Sequence, residues 1–356
     1  MDRPTLLPHL RPLWRDRTTL QLGTDPDRAV VVEFSPPVSA RILGLLDGAR
    51  TERAVLADAA TLGIPPEQVT AVLTALRQAG VLIGARALLP TGLPDAQRRR
   101  LAGEAAALAM RGPAAGTGTP AQLLRRRLAA RVLVTGQARL AAPIAATLAA
   151  SGVGHVGVRV PGPVTVHDVI PGGLSPSDVG RPAAEAVTAA VVRAAPDVDV
   201  TALRPGEATF VVRVGFDATP AALVARGYAR RRLPHLAVAV RDGAVVIGPF
   251  VPPAGSPCLA CLDLHRGDRD PAWETLAAQL ATEPPAAGAC AATTALIGAG
   301  YAVAEVLAYL DGDAPRTRGA TIEIAGAGGE KRRSWPPHPR CDCRQTRRSL
   351  SRPGKN

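Results

Sequence analysis

The chain has 356 residues, of which 47% are apolar, 20% charged and 3% aromatic, and 42 Lys and Arg against 30 Asp and Glu give a formal net charge of +12. The length exceeds what one hydrophobic core usually fills, so two or three domains are expected, and the apolar fraction excludes disorder throughout. The positive excess sits in short runs at 98–100, 125–127 and 230–232 and near the C-terminus. Aromatics for base stacking and helix-turn-helix spacing are both missing, so nucleic acid is not an expected partner.

Residues 1–16 carry charges where a signal peptide needs its apolar run, so the expected location is cytoplasmic. Two β-like runs, 19–22 and 29–34, flank the turn-rich Thr24-Asp25-Pro26-Asp27 and predict a hairpin. Amphipathic helices follow at 37–46, 51–62 and 65–79, the last with Pro in its first turn and Glu67 near its positive end. Val81-Leu82-Ile83 predicts a closing strand. Residues 1–88 therefore read as a small winged-helix-like α+β domain. The Pro-, Gly- and Ala-rich stretch 89–122 reads as a linker holding one helix, 94–111.

Beyond it strands alternate with helices: strands at 131–135, 156–160, 210–215 and 235–240, helices at 141–151, 182–194 and 220–230. That alternation predicts right-handed βαβ units and an α/β domain, 123–344, with a Rossmann-like, mostly parallel sheet covered by helices on both faces. Residues 291–310 are long and apolar enough for a membrane span, yet they are rich in Ala and Gly and carry Glu305, so a buried crossover helix is expected and no membrane. A last strand is predicted at 320–324. The basic run from Lys331 onward reads as a tail, and 345–356 lie outside the domain.

Four of the five cysteines form two close pairs, Cys258-Leu-Ala-Cys261 and Cys341-Asp-Cys343. Two short thiolate pairs separated by a long insert are what a tetrahedral structural Zn2+ site requires, so Cys258, Cys261, Cys341 and Cys343 are the predicted ligands, with His338 the alternative for one position. A redox-active pair would need thioredoxin-like surroundings, and disulfides are disfavoured in a cytoplasmic chain. With four thiolates the shell leaves no position for water, so the metal's role is structural.

Val132-Leu133-Val134-Thr135 reads as a buried first strand, followed by Gly136-Gln137-Ala138-Arg139-Leu140-Ala141 and a helix. A nucleotide-binding fold places Gly-x-Gly-x-x-Gly there. Here Gly136 remains, and Ala138 and Ala141 stand at the other two places.

Strand, glycine loop and helix, then Gly152-Val153-Gly154-His155-Val156, Ser177-Asp178-Val179-Gly180-Arg181, Pro257-Cys258-Leu-Ala-Cys261, Ala289-Cys290-Ala-Ala and Cys341-Asp-Cys343 occur in one order. Over roughly 130–344 this resembles the ThiF/HesA/MoeB (ubiquitin-activating-enzyme-like) superfamily. The resemblance implies ATP- and magnesium-dependent adenylation of a C-terminal carboxylate on a small protein or peptide, and a homodimer. It implies a nucleotide site at Gly136, Arg139 and Asp217, with Arg181 the nearest cation. It sets Cys290 where some members keep a sulfur-relay or thioester cysteine; its alanine neighbours make a buried cysteine at a helix start the plainer expectation. Departures accompany the resemblance. Val158-Arg159-Val160-Pro161 offers no acid for a ribose, Ala183 replaces the phosphate lysine, and only Asp217 stands near the place of the magnesium ligand. Such a set is thin for phosphoryl electrostatics, so the expectation is a degenerate site without working ATP and magnesium.

Leu13-Trp14-Arg15, the hairpin, and Pro36-Pro37 ahead of three helices resemble the PqqD-like peptide-recognition domains. That resemblance implies a leader peptide added as a strand on the hairpin edge, with Leu20, Leu22, Val30, Val32 and a face of the third helix lining the groove. Together the two resemblances imply a scaffold like the cyclodehydratase partner proteins of azoline biosynthesis, presenting a precursor peptide to a modifying enzyme such as a YcaO-type cyclodehydratase. The alternative is an active adenylyltransferase.

Overall fold

The structure, a computed structural model, describes residues 3–343 apart from 9, 28, 35–36, 112–117, 205, 216–220, 254, 256, 283–289 and 327–328. It forms two compact units, Met1–Arg125 and Arg126–Asn356.

In the first unit the predicted hairpin is β3 (Thr19–Leu22) against β4 (Val30–Glu33), in the register Leu20↔Val32 and Leu22↔Val30. A further strand, β2 (Pro12–Trp14), pairs antiparallel with β3 and makes the sheet three-stranded. Alternation explains its sidedness: Leu20 and Leu22 are buried, while Leu13 and Val31, paired through Gln21, face solvent. The closing strand, β5 (Leu82–Gly84), does not join the hairpin; it pairs with β1 (Pro4–Leu6), a strand too short to be read from sequence. The first predicted helix is a 3-10 helix, Pro37–Leu45. Helix α1 (Glu52–Thr61) is capped by the Thr51 hydroxyl, which accepts from the Ala54 N–H at 3.3 Å, and α2 (Pro66–Gln78) opens on proline. Val69, Leu73 and Leu76, at helical spacing on α2, close a small core with Leu20, Leu22, Phe34 and Ile42. Two more helices follow, α3 (Ala85–Leu88) and α4 (Asp95–Met110), then α5 (Pro120–Ala129).

The second unit is built on β6 (Arg131–Gly136), α6 (Ala138–Ala150), β7 (His155–Arg159), α7 (Ala183–Ala194), β8 (Phe210–Val214), α8 (Ala221–Arg230) and β9 (His235–Arg241). Next come β10 (Ala244–Val251), α9 (Leu259–Gly267), α10 (Trp273–Thr282), α11 (Ala292–Asp311), β11 (Ala320–Ile324) and β12 (Glu330–Ser334). The seven strands lie in the order β12-β11-β10-β9-β8-β6-β7. β7, β6, β8 and β9 run parallel, and β10, β11 and β12 extend them antiparallel, so the sheet is mixed. The basic run at Lys331 is an edge strand of this sheet and not a tail, its exposed charges suiting an edge.

Residue alternation sorts the core onto two faces. Val132 and Val134 of β6, Phe210, Val212 and Val214 of β8 and Leu236 and Val238 of β9 pack with α6, α7 and α11, whereas Leu133 and Val211 point to the opposite face with Leu233 and Tyr228. Helix α11 is long and apolar enough to cross a membrane. In this fold its inner face, Ala295, Ala299, Ala302 and Val306, belongs to the main core, and Gly298 lies so close to β10 that an added Cβ would stand 2.5 Å from Val245 Cγ1. Its buried acids are satisfied within the protein. Glu305 accepts from the Thr317 N–H at 2.7 Å and hydroxyl at 2.5 Å, and Asp311 forms a two-pronged ion pair with Arg127 at 2.8 and 2.6 Å.

Candidate functional site

Two places on the second unit carry the chemistry read from the sequence. At the first, Cys258 ends the loop after β10 and Cys261 lies in the first turn of α9, with the Cys261 N–H bonded to the Cys258 carbonyl at 3.0 Å. Cys341 and Cys343 come from the segment after β12. The fold brings all four Sγ atoms within 4.8 Å of one another, with Cys258 to Cys261 at 3.9 Å, Cys258 to Cys341 at 3.7 Å and Cys261 to Cys343 at 3.4 Å. An ion held tetrahedrally at about 2.3 Å from each sulfur needs sulfurs about 3.8 Å apart, so the donor set fits a soft tetrahedral cation such as zinc. Hydrogen bonds from the Cys258 and Cys343 thiols hold Cys261 well down in the thiolate range; the same coupling pushes Cys258 up, and burial pushes Cys341 up to about 12.

His338 is not placed as a ligand. Its Nε2 donates to Asp268 at 2.7 Å and its Nδ1 accepts from the Arg340 N–H at 3.1 Å, so both ring nitrogens are occupied. Its carbonyl accepts from the Cys341 N–H at 3.1 Å, which fixes the turn that aims Cys341. His265, Asp268 and His338 form a second cluster of possible ligand types, but His265 Nε2 is bonded to the Pro336 carbonyl at 2.9 Å, so this group braces the turn. No spacing pattern marks it, because its members are brought together only by the return of the chain after β12.

The second place is the end of β6. Gly136 has φ +110°, and a Cβ there would stand 1.8 Å from the Val214 carbonyl oxygen, so glycine is demanded by the approach of β8 alone. Gln137 caps α6 by position and donates its backbone N–H to that same carbonyl at 3.2 Å. Ala138 and Ala141, at the other two loop places, are buried in the main core. Arg139 is engaged: Nη2 donates to the Cys290 carbonyl at 2.8 Å and Nη1 to the His167 carbonyl. Arg181 pairs at 2.6 Å with Asp178, which also accepts from the Ser175 N–H and hydroxyl; the Ser175 bonds first, and the guanidinium with them, hold this carboxyl below the usual carboxylate range. Ala183, in the place of the lysine, is buried at the start of α7. Asp217 lies outside the described residues. Cys290 is half-buried against the main core just before α11.

In the first unit Leu20 and Leu22 are fully buried and Val30 and Val32 pack against the same core, so these four form its inward layer. The backbone of β4 is one edge of its sheet and carries the exposed Val31, while the exposed Leu13 and Trp14 lie on β2 at the other edge.

No family model matches the chain, and no curated protein matches it in sequence. Solved structures do match. Escherichia coli MccB with ATP shares 15% identity with it at a TM-score of 0.65, covering 96% of this chain and 99% of that one. The Microcin C7 biosynthetic enzyme MccB in complex with N-formylated MccA gives 16% identity, the same TM-score and the same coverage. PaaA gives 15% identity and a TM-score of 0.65 over 91% of this chain and 98% of its own. The likeness runs through both units, and it shows that the chain has the ThiF/MoeB-like fold of MccB, as its own motif order implies.

Proposed function

We propose that the protein binds a precursor peptide through its first unit and serves as a scaffold that hands the peptide to a modifying enzyme, without turning over ATP. The carrying observation is that Arg139 and Arg181, the cations which the sequence offers to a triphosphate, are both already engaged, one by carbonyls of His167 and Cys290 and the other by Asp178. A phosphate clamp needs cations and a metal held together in a prepared site. Neither an acid after β7 nor a lysine at Ala183 supplies the rest. The peptide side of the reading rests on the likeness to MccB, which has been solved with MccA, and on the open edge at β4, where an extended segment would add its backbone while Leu20, Leu22, Val30 and Val32 stiffen the sheet beneath. Zn2+ held by Cys258, Cys261, Cys341 and Cys343 would tie the end of the chain to the loop before α9, and the partner enzyme on this reading is of the YcaO cyclodehydratase type. The protein would work as a homodimer in the cytoplasm.

Isothermal titration with ATP and Mg2+ tests the proposal: no saturable heat is expected, and micromolar binding would overturn it. The second reading, an adenylyltransferase acting on a peptide or small-protein C-terminal carboxylate, is favoured by one observation, that the structural likeness extends to MccB solved with ATP. Carboxylate-dependent pyrophosphate exchange would establish it.

A further inference from the structure

The face of the large sheet opposite α6, α7 and α11 encloses a cavity of about 970 Å³. Its cause is legible in the strands. On β9 the residues facing this side are His235, Ala237 and Ala239, and from β8 they are Arg213 and, just past its end, Gly215, so the floor is short of side-chain volume beneath α8, α9 and α10. Ala225, Leu262 and Ala277 give the roof an apolar surface. The size and the mixture of apolar walls with a few convergent polar groups are those of a small-molecule site.

Two features define what would fit. His235 is 2% exposed, and its Nδ1 donates to the Leu233 carbonyl at 3.1 Å; that carbonyl can only accept, so Nε2 carries the lone pair. Nε2 is buried with no hydrogen-bond partner among the described residues, and His235 lines the cavity. Burial pushes the ring down to about 4, so it is neutral at ordinary pH and requires a donor. An acceptor left unmet in the interior costs free energy that a bound N–H would recover. The second feature is charge: of the five arginines that line the cavity, Arg226, Arg241, Arg266 and Arg340 are ion-paired with Asp342, Glu323, Asp263 and Asp268, and Arg213 adds a cation to the wall that carries His235. Arg213 stands on the same face as His235, since Val211 is the register partner of His235 and Arg213 that of Ala237.

We propose that this cavity binds an α-substituted carboxylate with a donor N–H and an apolar side chain, the chemistry of an N-acyl amino acid, with its N–H on His235 Nε2 and its carboxylate facing Arg213. Gly136, Arg139 and Arg181 are not among the residues that line it, and the site does not require ATP.

Titration of the full chain with N-acetyl-L-leucine is expected to show saturable binding. The N-methyl analogue, which lacks the N–H, and N-acetyl-L-leucinamide, which lacks the carboxylate, should each bind at least tenfold more weakly. R213M and H235L should each weaken N-acetyl-L-leucine by a similar factor, and H235L should leave the N-methyl analogue unaffected, because both changes remove one hydrogen bond. A longer peptide ending in leucine separates the two sources of this chemistry: if it binds as tightly, the ligand is a peptide terminus, and if it is excluded, a free acylamino acid. Should H235L fail to fold, the 15N resonance of His235 Nε2 in the unaltered protein gives the answer, moving with N-acetyl-L-leucine and staying with its N-methyl analogue. No binding, equal binding of all three compounds, or an unmoved Nε2 resonance overturns the proposal.

Discussion

The cysteine cluster and the glycine loop belong to one sheet and were both marked by short sequence patterns, yet they are built differently. At the cysteines every donor is present, the sulfurs stand at tetrahedral spacing, and the surrounding groups, His338 on Asp268 and on the Arg340 N–H, serve to hold them there. At the glycine loop the backbone course is kept while the side chains have other partners. Gly136 is required by the Val214 carbonyl whether or not a phosphate ever binds, so its presence is a packing fact. A retained glycine is therefore weaker testimony to function than a complete set of donors.

Stripping the metal sharpens that contrast most. Prolonged chelation, or Cys261→Ser, should lower the melting temperature by about 10 °C or more, because metal binding free energy is folding free energy at such a site; a chelated protein that melts unchanged would mean that the cysteines hold no ion. Gly136→Ala should cost about 4 kcal/mol or more in urea unfolding, since the new methyl meets backbone and the φ is positive. A variant of ordinary stability would show that β6 and β8 can separate, and the packing account of the glycine would fail. Arg127→Met should cost about 3–4 kcal/mol by leaving Asp311 buried and unmatched, and adding Asp311→Leu should restore most of it.

A smaller effect depends on pH. His235 has its folded value lowered to about 4 from an ordinary 6.5, so the unfolded chain takes up a proton that the folded chain refuses. Its contribution is fully present above pH 6.5 and is lost as pH falls toward 4, by about 3 kcal/mol in all. H235L should flatten that part of the stability profile, and identical slopes for the two proteins would show that the ring protonates in place. The smallest effect is expected from Ala138→Gly, which restores the loop pattern: about 1 kcal/mol of lost stability and no gain in nucleotide binding, because Arg139 and Arg181 stay engaged. A gain would move the defect from the cations to the methyl group.

The parallel half of the sheet was legible because its strands are apolar runs, each ended by a glycine- or proline-marked turn, and helices come between them. In the antiparallel half β11 was read at its observed bounds, while β10 and β12 were not, although one signal for β10 was present. Asp242 and Gly243, both with positive φ, make the two-residue turn between β9 and β10, and Asp-Gly between apolar runs is a strong hairpin pattern. β12, Glu-Lys-Arg-Arg-Ser, has no apolar face, so nothing in its composition separated an edge strand from a tail. Cysteine spacing announced one cluster in full. The engagement of Arg139 by Cys290 and His167, far off in the chain, and the orphaned nitrogen of His235 follow from tertiary packing alone and left no local trace.

Native mass spectrometry of the full chain, recorded with ATP and Mg2+ present, reads both ends of the sheet in one spectrum. One zinc ion per chain and no retained nucleotide are expected. A chain without metal, or one that carries ATP at full occupancy, would contradict that expectation.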